Sequence, residues 1–132
     1  MWPQDENTAA ALANPQALIS VYGAVPVLES IEITKFCLDR EGPTLTVDFC
    51  SLDYPANPPA KWKNANAVAF EVQFLAISIS VSSFLTQGDT FVRIVPANQY
   101  YEIYFTGAVS AKLNFHSFRI AKISPYLDER KL

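Results

Sequence analysis

Histidine is nearly missing from this chain, which has only His116. General acid–base catalysis leans on His because its pKa lies near neutrality. Any Ser-His-Asp or Cys-His arrangement here therefore has one candidate base, and the pattern around it reads as a strand residue beside a bulge. Cysteine is almost as scarce. Cys37 and Cys50 are the only two, too few for a disulfide framework. They fall on the two strands of one expected hairpin, out of register, so no bond between them is forced, and free, half-buried thiols are expected. A zinc site needs about four ligands at short spacing, and no such set exists, so no metal and no cofactor is expected. The four glycines form no spaced set, which excludes a Gly-rich phosphate loop. Charge is thin at 17% of residues and sums to −3. No basic run exceeds Lys61-Trp62-Lys63, which argues against a nucleic-acid partner, since that needs a basic footprint. No apolar run approaches the roughly 18 residues of a membrane helix. Met1 to Ala13 carries Asp5 and Glu6 but no Lys or Arg. It therefore does not read as a secretory signal, and a cytoplasmic location is expected.

What is present is apolar and aromatic. Of 132 residues, 50% are hydrophobic and 13% aromatic, enough for a single-domain core at this length. Met1 to Ala13 reads as a flexible tail, residues 14–127 as one β-rich domain, and residues 128–132 as a polar tail. Asn14-Pro15 is a helix start, with Asn as N-cap and Pro at the first helical position. Gln16 to Val21 would form the helix, Tyr22-Gly23 would end it, and Leu12, Leu18 and Ile19 would supply its apolar stripe.

From Ile31 the pattern is strand after strand. Ile31 and Ile33 are apolar at odd positions, Phe36 and Leu38 at even ones, so a bulge is expected near Thr34-Lys35. Arg40 to Pro43 is a turn. Thr44 to Ser51 then alternates with Leu45, Val47 and Phe49 inward. Leu52 to Ala67 is a Pro-rich loop that cannot be a strand, and Trp62 is expected to anchor it with Lys61 and Lys63 pointing out. Val68 to Phe74 and Leu75 to Val81 both alternate, but parity flips at Phe74-Leu75, through either a bulge in one strand or a corner between two. Thr90 to Val95, Tyr100 to Thr106 and Val109 to Ile120 follow, the last with a bulge near His116-Ser117. Ser124-Pro125 is expected to stop it. The fold class is α+β, mainly β: a strongly curved antiparallel meander sheet of about seven strands with one short N-terminal helix.

The carboxylates adjacent in sequence are Glu29 and Glu32, Asp39 and Glu41, and Asp128 and Glu129. They lie at strand ends or in a tail without the apolar frame that raises a catalytic pKa. They read as solvated charges that discourage edge pairing, and the chain is not expected to be an enzyme. In Tyr100 to Thr106, Tyr101, Ile103 and Phe105 share one face. If that face is core, Tyr100, Glu102 and Tyr104 are displayed on the other. Tyrosines are frequent interface anchors, although exposed aromatic pairs on a sheet are also ordinary cross-strand packing. The expected binding residues are Asp53, Tyr54, Tyr100, Glu102 and Tyr104. A curled, Phe-rich sheet could alternatively enclose a small molecule or lipid.

Several segments in order resemble one family. These are Tyr22-Gly23-Ala24-Val25-Pro26, then the strand Ile31 to Leu38, and the turn Asp39-Arg40-Glu41-Gly42-Pro43-Thr44-Leu45. Pro59-Ala60-Lys61-Trp62, Phe74-Leu75-Ala76-Ile77-Ser78-Ile79 leading to Phe84, and Ile123-Ser124-Pro125-Tyr126 complete the set. Across roughly residues 20–127 the chain resembles the immunity protein 50 family, small bacterial proteins of polymorphic toxin systems. The likeness departs at Pro26-Val27-Leu28-Glu29-Ser30. There the family carries a Pro-Ser-Phe-His-Asp type segment, so no chemistry is assigned to these residues. The resemblance implies a non-catalytic protein that binds a cognate toxin and blocks it in the producing cell. A basic nuclease is one toxin class that an acidic inhibitor would attract and steer. No nucleic acid and no membrane are expected as partners, and the chain is expected to be a monomer or a weak dimer.

Overall fold

The computed structural model describes residues 11–22, 31–51, 54–62 and 65–127. Leu52, Asp53, Lys63, Asn64, Gly23 to Ser30, residues 1–10 and residues 128–132 lie outside the described residues, and with them the departing Pro26–Ser30 segment, the C-terminal tail and all but residues 11–13 of the expected N-terminal tail.

Among the described residues, the helix α1 (Gln16–Tyr22) precedes six antiparallel strands: β1 (Ile31–Asp39), β2 (Thr44–Ser51), β3 (Ala67–Phe84), β4 (Thr90–Pro96), β5 (Tyr101–Gly107) and β6 (Val109–Tyr126). They are ordered β1-β2-β3-β6-β5-β4 in a closed barrel. The chain thus makes two successive three-stranded meanders, and the long strands β3 and β6 join them by pairing along their whole length. Closure on the far side rests on one described pair, Ile31 with Thr90. The described residues hold six strands where about seven were expected, because Val68–Phe74 and Leu75–Val81 are halves of one bent strand.

The bends come from bulges, which let one strand serve two sheet directions. On β6 two residues, His116 and Ser117, lie between the partners of Ala76 and Phe74, where β3 has the single residue Leu75. The bulge turns both Phe115 and Phe118 inward, where regular alternation would place them on opposite faces. Their rings lie 5.1 and 5.3 Å from that of Phe74, and all three are fully buried. The expected bulge at His116-Ser117 is present, and so is the one at Thr34, between Ile33 and Lys35. On β3 the parity change falls later than expected. Phe74 and Ala76 are both buried, whereas Leu75 and Ile77 are exposed, and the register shifts between Ala76 and Ser78. Leu75 and Ile77 are outward aliphatics, which alternation alone reads as core.

The barrel interior is packed with side chains. Phe49 stacks on Phe70 at 4.8 Å, and Phe36 meets Phe105 edge-on at 5.2 Å. Leu45, Val72, Ile94, Ile103 and Leu113 fill the space between. This close ring packing gives no support to a ligand held inside the barrel. Gly107 makes the β5–β6 corner possible. Its φ is +128°, and a Cβ there would lie 2.5 Å from the Asp89 carbonyl oxygen, so only glycine fits.

Asn14 differs from expectation. Its side-chain amide does not cap the helix. Its Nδ2 donates to the Ile120 carbonyl, and its Oδ1 accepts from the Ile120 N–H, both at 2.8 Å. Its backbone carbonyl receives the Ala17 N–H at 3.1 Å. Leu12 forms a parallel bridge with Phe118, and the Ala13 N–H donates to the Phe118 carbonyl at 2.7 Å. Ala11, Leu12 and Leu18 are buried. The segment before the helix therefore lies along the outer edge of β6. That edge position also explains how β6 continues past Ser124-Pro125 to Tyr126, because proline is tolerated where its missing N–H faces away from the ladder.

Candidate functional site

Alternation along β5 buries Ile103 and Phe105 and turns Glu102 and Tyr104 outward. The register then builds a patch on the outer face of β4, β5 and β6. Tyr104 lies between Arg93 and Lys112 in one cross-strand row, and Glu102 lies between Val95 and Asn114 in the next. The Tyr104 ring has the Arg93 guanidinium at 5.2 Å and the Lys112 ammonium at 5.7 Å from its centre, within cation–π range. Glu102 Oε2 accepts from Lys112 Nζ at 2.7 Å and from the Tyr104 hydroxyl at 3.3 Å. The hydrogen bond from Lys112 holds the Glu102 carboxyl below its ordinary value. The same bond raises the Lys112 ammonium above its own. Tyr100 precedes β5 in a turn where its carbonyl accepts from the Ala97 N–H at 2.8 Å.

This arrangement positions a rigid aromatic ring, two cations and a carboxylate on a sheet. It offers recognition chemistry: ring stacking, cation–π contact and charge pairing. The one histidine, His116, is exposed on its bulge. Among the described residues no group of three His, Cys, Asp or Glu side chains is placed to hold a metal, and no helix is long and apolar enough to cross a membrane.

The expected binding residues do not all cluster. Glu102 and Tyr104 are brought together, with Tyr100 in the turn just before the same strand. Tyr54 belongs to the long loop instead. Its ring lies 6.0 Å from that of Trp62, and its hydroxyl donates to the Trp62 carbonyl at 3.5 Å. Trp62 is only 8% exposed and belongs to the core, so it anchors the loop while Lys61 is exposed. Cys37 is exposed, not half-buried; Cys50 is the half-buried one, and no disulfide joins them. They pair with Thr46 and Glu32 respectively, so the register keeps them apart.

A second group escaped the sequence. Lys35, Asp48, Glu71 and Lys122 occupy successive strands in one cross-strand row on the outer face of β1, β2, β3 and β6. Asp48 and Glu71 border a cavity of about 230 Å³ with Thr34 and Lys122. Asp48 Oδ1 is buried without a hydrogen-bond partner. The two carboxylates are distant in sequence, and only the strand pairing makes them neighbours. The carboxylate pairs close in sequence do less: where described, Asp39 Oδ1 accepts the Glu41 N–H at 2.9 Å and shapes the β1–β2 turn.

The fold and this surface define a small antiparallel β-barrel domain that presents polar and aromatic sheet faces. The model of one family, described as Immunity protein 50, matches residues 14–126. The chain belongs to that family. No curated protein and no solved structure matches it.

Proposed function

We propose that this chain is a non-catalytic immunity protein that binds a cognate toxin and neutralises it in the cytoplasm of the producing cell. The observation that carries the reading is the family match across residues 14–126. The binding residues are Glu102 and Tyr104 on β5, Tyr100 just before it, and Asp53 and Tyr54. Tyrosine brings large contact area at low entropic cost, and the flanking Arg93 and Lys112 already hold Tyr104 in place. The acidic balance of −3 favours a basic toxin, such as a nuclease.

The test is co-expression with the toxin domain encoded beside this gene, scored by growth rescue and co-purification. Rescue with a stable complex is expected. A toxic domain that is neither rescued nor bound would overturn the reading. Within the complex, Tyr104→Ala is expected to weaken binding by about 2 kcal/mol, the lower bound for an anchor residue, while the melting temperature holds. Undiminished binding by that variant would remove the β5 face from the proposal.

A further inference from the structure

The second half of β3 is an open sheet edge. Pairing with β2 ends at Thr44 and Leu75, and the Ala76 N–H makes one last bond to the Pro43 carbonyl at 3.0 Å. Beyond it, residues 77–84 pair with β6 on one side and with no strand among the described residues on the other. The side chains record the missing neighbour. Val81 is 50% and Phe84 44% exposed, yet the β6 residues opposite them, Ala111 and Val109, are buried. Proteins usually blunt such edges with charge or proline. Here no charged residue and no proline occurs from Phe74 to Gly88.

We propose that this edge pairs antiparallel with the same edge of a second copy of the chain, making a two-fold dimer whose sheet continues through both copies. Three observations point to a second copy. The segment Ile77-Ser78-Ile79-Ser80-Val81-Ser82 alternates aliphatic and serine and reads nearly the same in both directions about Ser80. An antiparallel pairing centred there sets Ile79 opposite Val81 of the partner subunit and serine opposite serine, each on its proper face. The stretch is neutral, so two copies meet without like-charge repulsion. The other flank of this half-strand is filled by β6, so the contact closes at two copies and does not propagate. The regular window between the β3 register shifts, Ser78 to Val81, supplies the centre of the pairing, and the exposed Leu85 follows it in the chain.

The test is sedimentation of the whole chain across a concentration series, with three variants. The wild type is expected to form a two-copy species that grows with concentration. Ser80→Lys and Ser80→Glu each alter an exposed serine and place like charges across the axis. Each is expected to be monomeric with an unchanged melting temperature. Mixing the two variants is expected to restore a dimer containing one of each. Failure of the mixture to associate would overturn the proposal. So would a wild type that stays monomeric up to about 1 mM, the weak limit of specific association. A dimer indifferent to both substitutions, or open-ended aggregates, would overturn it too. So would a monomer whose edge becomes protected only when the toxin domain is added, which would give the edge to a toxin strand.

Discussion

Two edges of the same β-barrel are treated in opposite ways. The two longest strands, β3 and β6, pair with each other, and each has a half with no further strand beside it. On β6 that half is covered by the chain's own N-terminal segment. Leu12 bridges Phe118, and Asn14 satisfies both backbone groups of Ile120. On β3 the corresponding half carries no such cover among the described residues. The difference teaches what closes a small barrel. A backbone edge needs hydrogen-bond partners more than it needs a strand, and one asparagine with two well-placed neighbours supplies them. The bare edge keeps its apolar side chains half exposed, and such edges are templates for pairing.

The comparison is most sharply tested by two like substitutions. Phe118→Ala removes a buried ring packed on Phe74 and Phe115 and is expected to cost about 3–5 kcal/mol. Phe84→Ala on the bare edge removes a half-exposed ring that touches Phe36 at 5.7 Å, and is expected to cost about 1 kcal/mol in the monomer. Urea unfolding at low concentration measures both, and equal costs would break the contrast. Next in size is Asn14→Ala, which strands the Ile120 backbone groups and is expected to cost about 1–3 kcal/mol. Ser82→Ala on the open edge should stay within about 0.5 kcal/mol.

The smallest effect concerns pH. Neither Leu12, Asn14 nor Ile120 titrates, so acid acts elsewhere. Glu102 has its pKa lowered by the hydrogen bond from Lys112. Its contribution is therefore present above the unfolded value near 4.5 and is lost as pH falls through the lower folded value. The exposed position of Lys112 keeps the effect slight. A small fall in melting temperature on acidification is expected, and Glu102→Gln should remove that component while leaving the Asn14 contrast intact.

How much of this was legible before the fold depends on what each residue reports. Parity shifts at Thr34-Lys35 and His116-Ser117 revealed two bulges, because core aromatics and aliphatics marked the inward face on both sides. Parity misled at Leu75 and Ile77, since aliphatic residues on an open edge look like core residues when read along one strand. Asn14 read as a cap because its local context fits one, and its actual partner, Ile120, is visible only through tertiary packing. The β5 face was legible from alternation alone. The separation of Tyr54 from it was not, and neither was the Asp48–Glu71 pair, because both depend on which elements meet.

The central claim, that one edge is closed by the chain itself and the other is left open, is tested most directly by amide hydrogen exchange in dilute protein. The Ile120 amide is predicted to exchange slowly. The amides of residues 77–83 that point away from β6 are predicted to exchange fast, while their alternate neighbours stay protected. Uniform slow exchange across residues 77–83 in the dilute monomer would contradict the account.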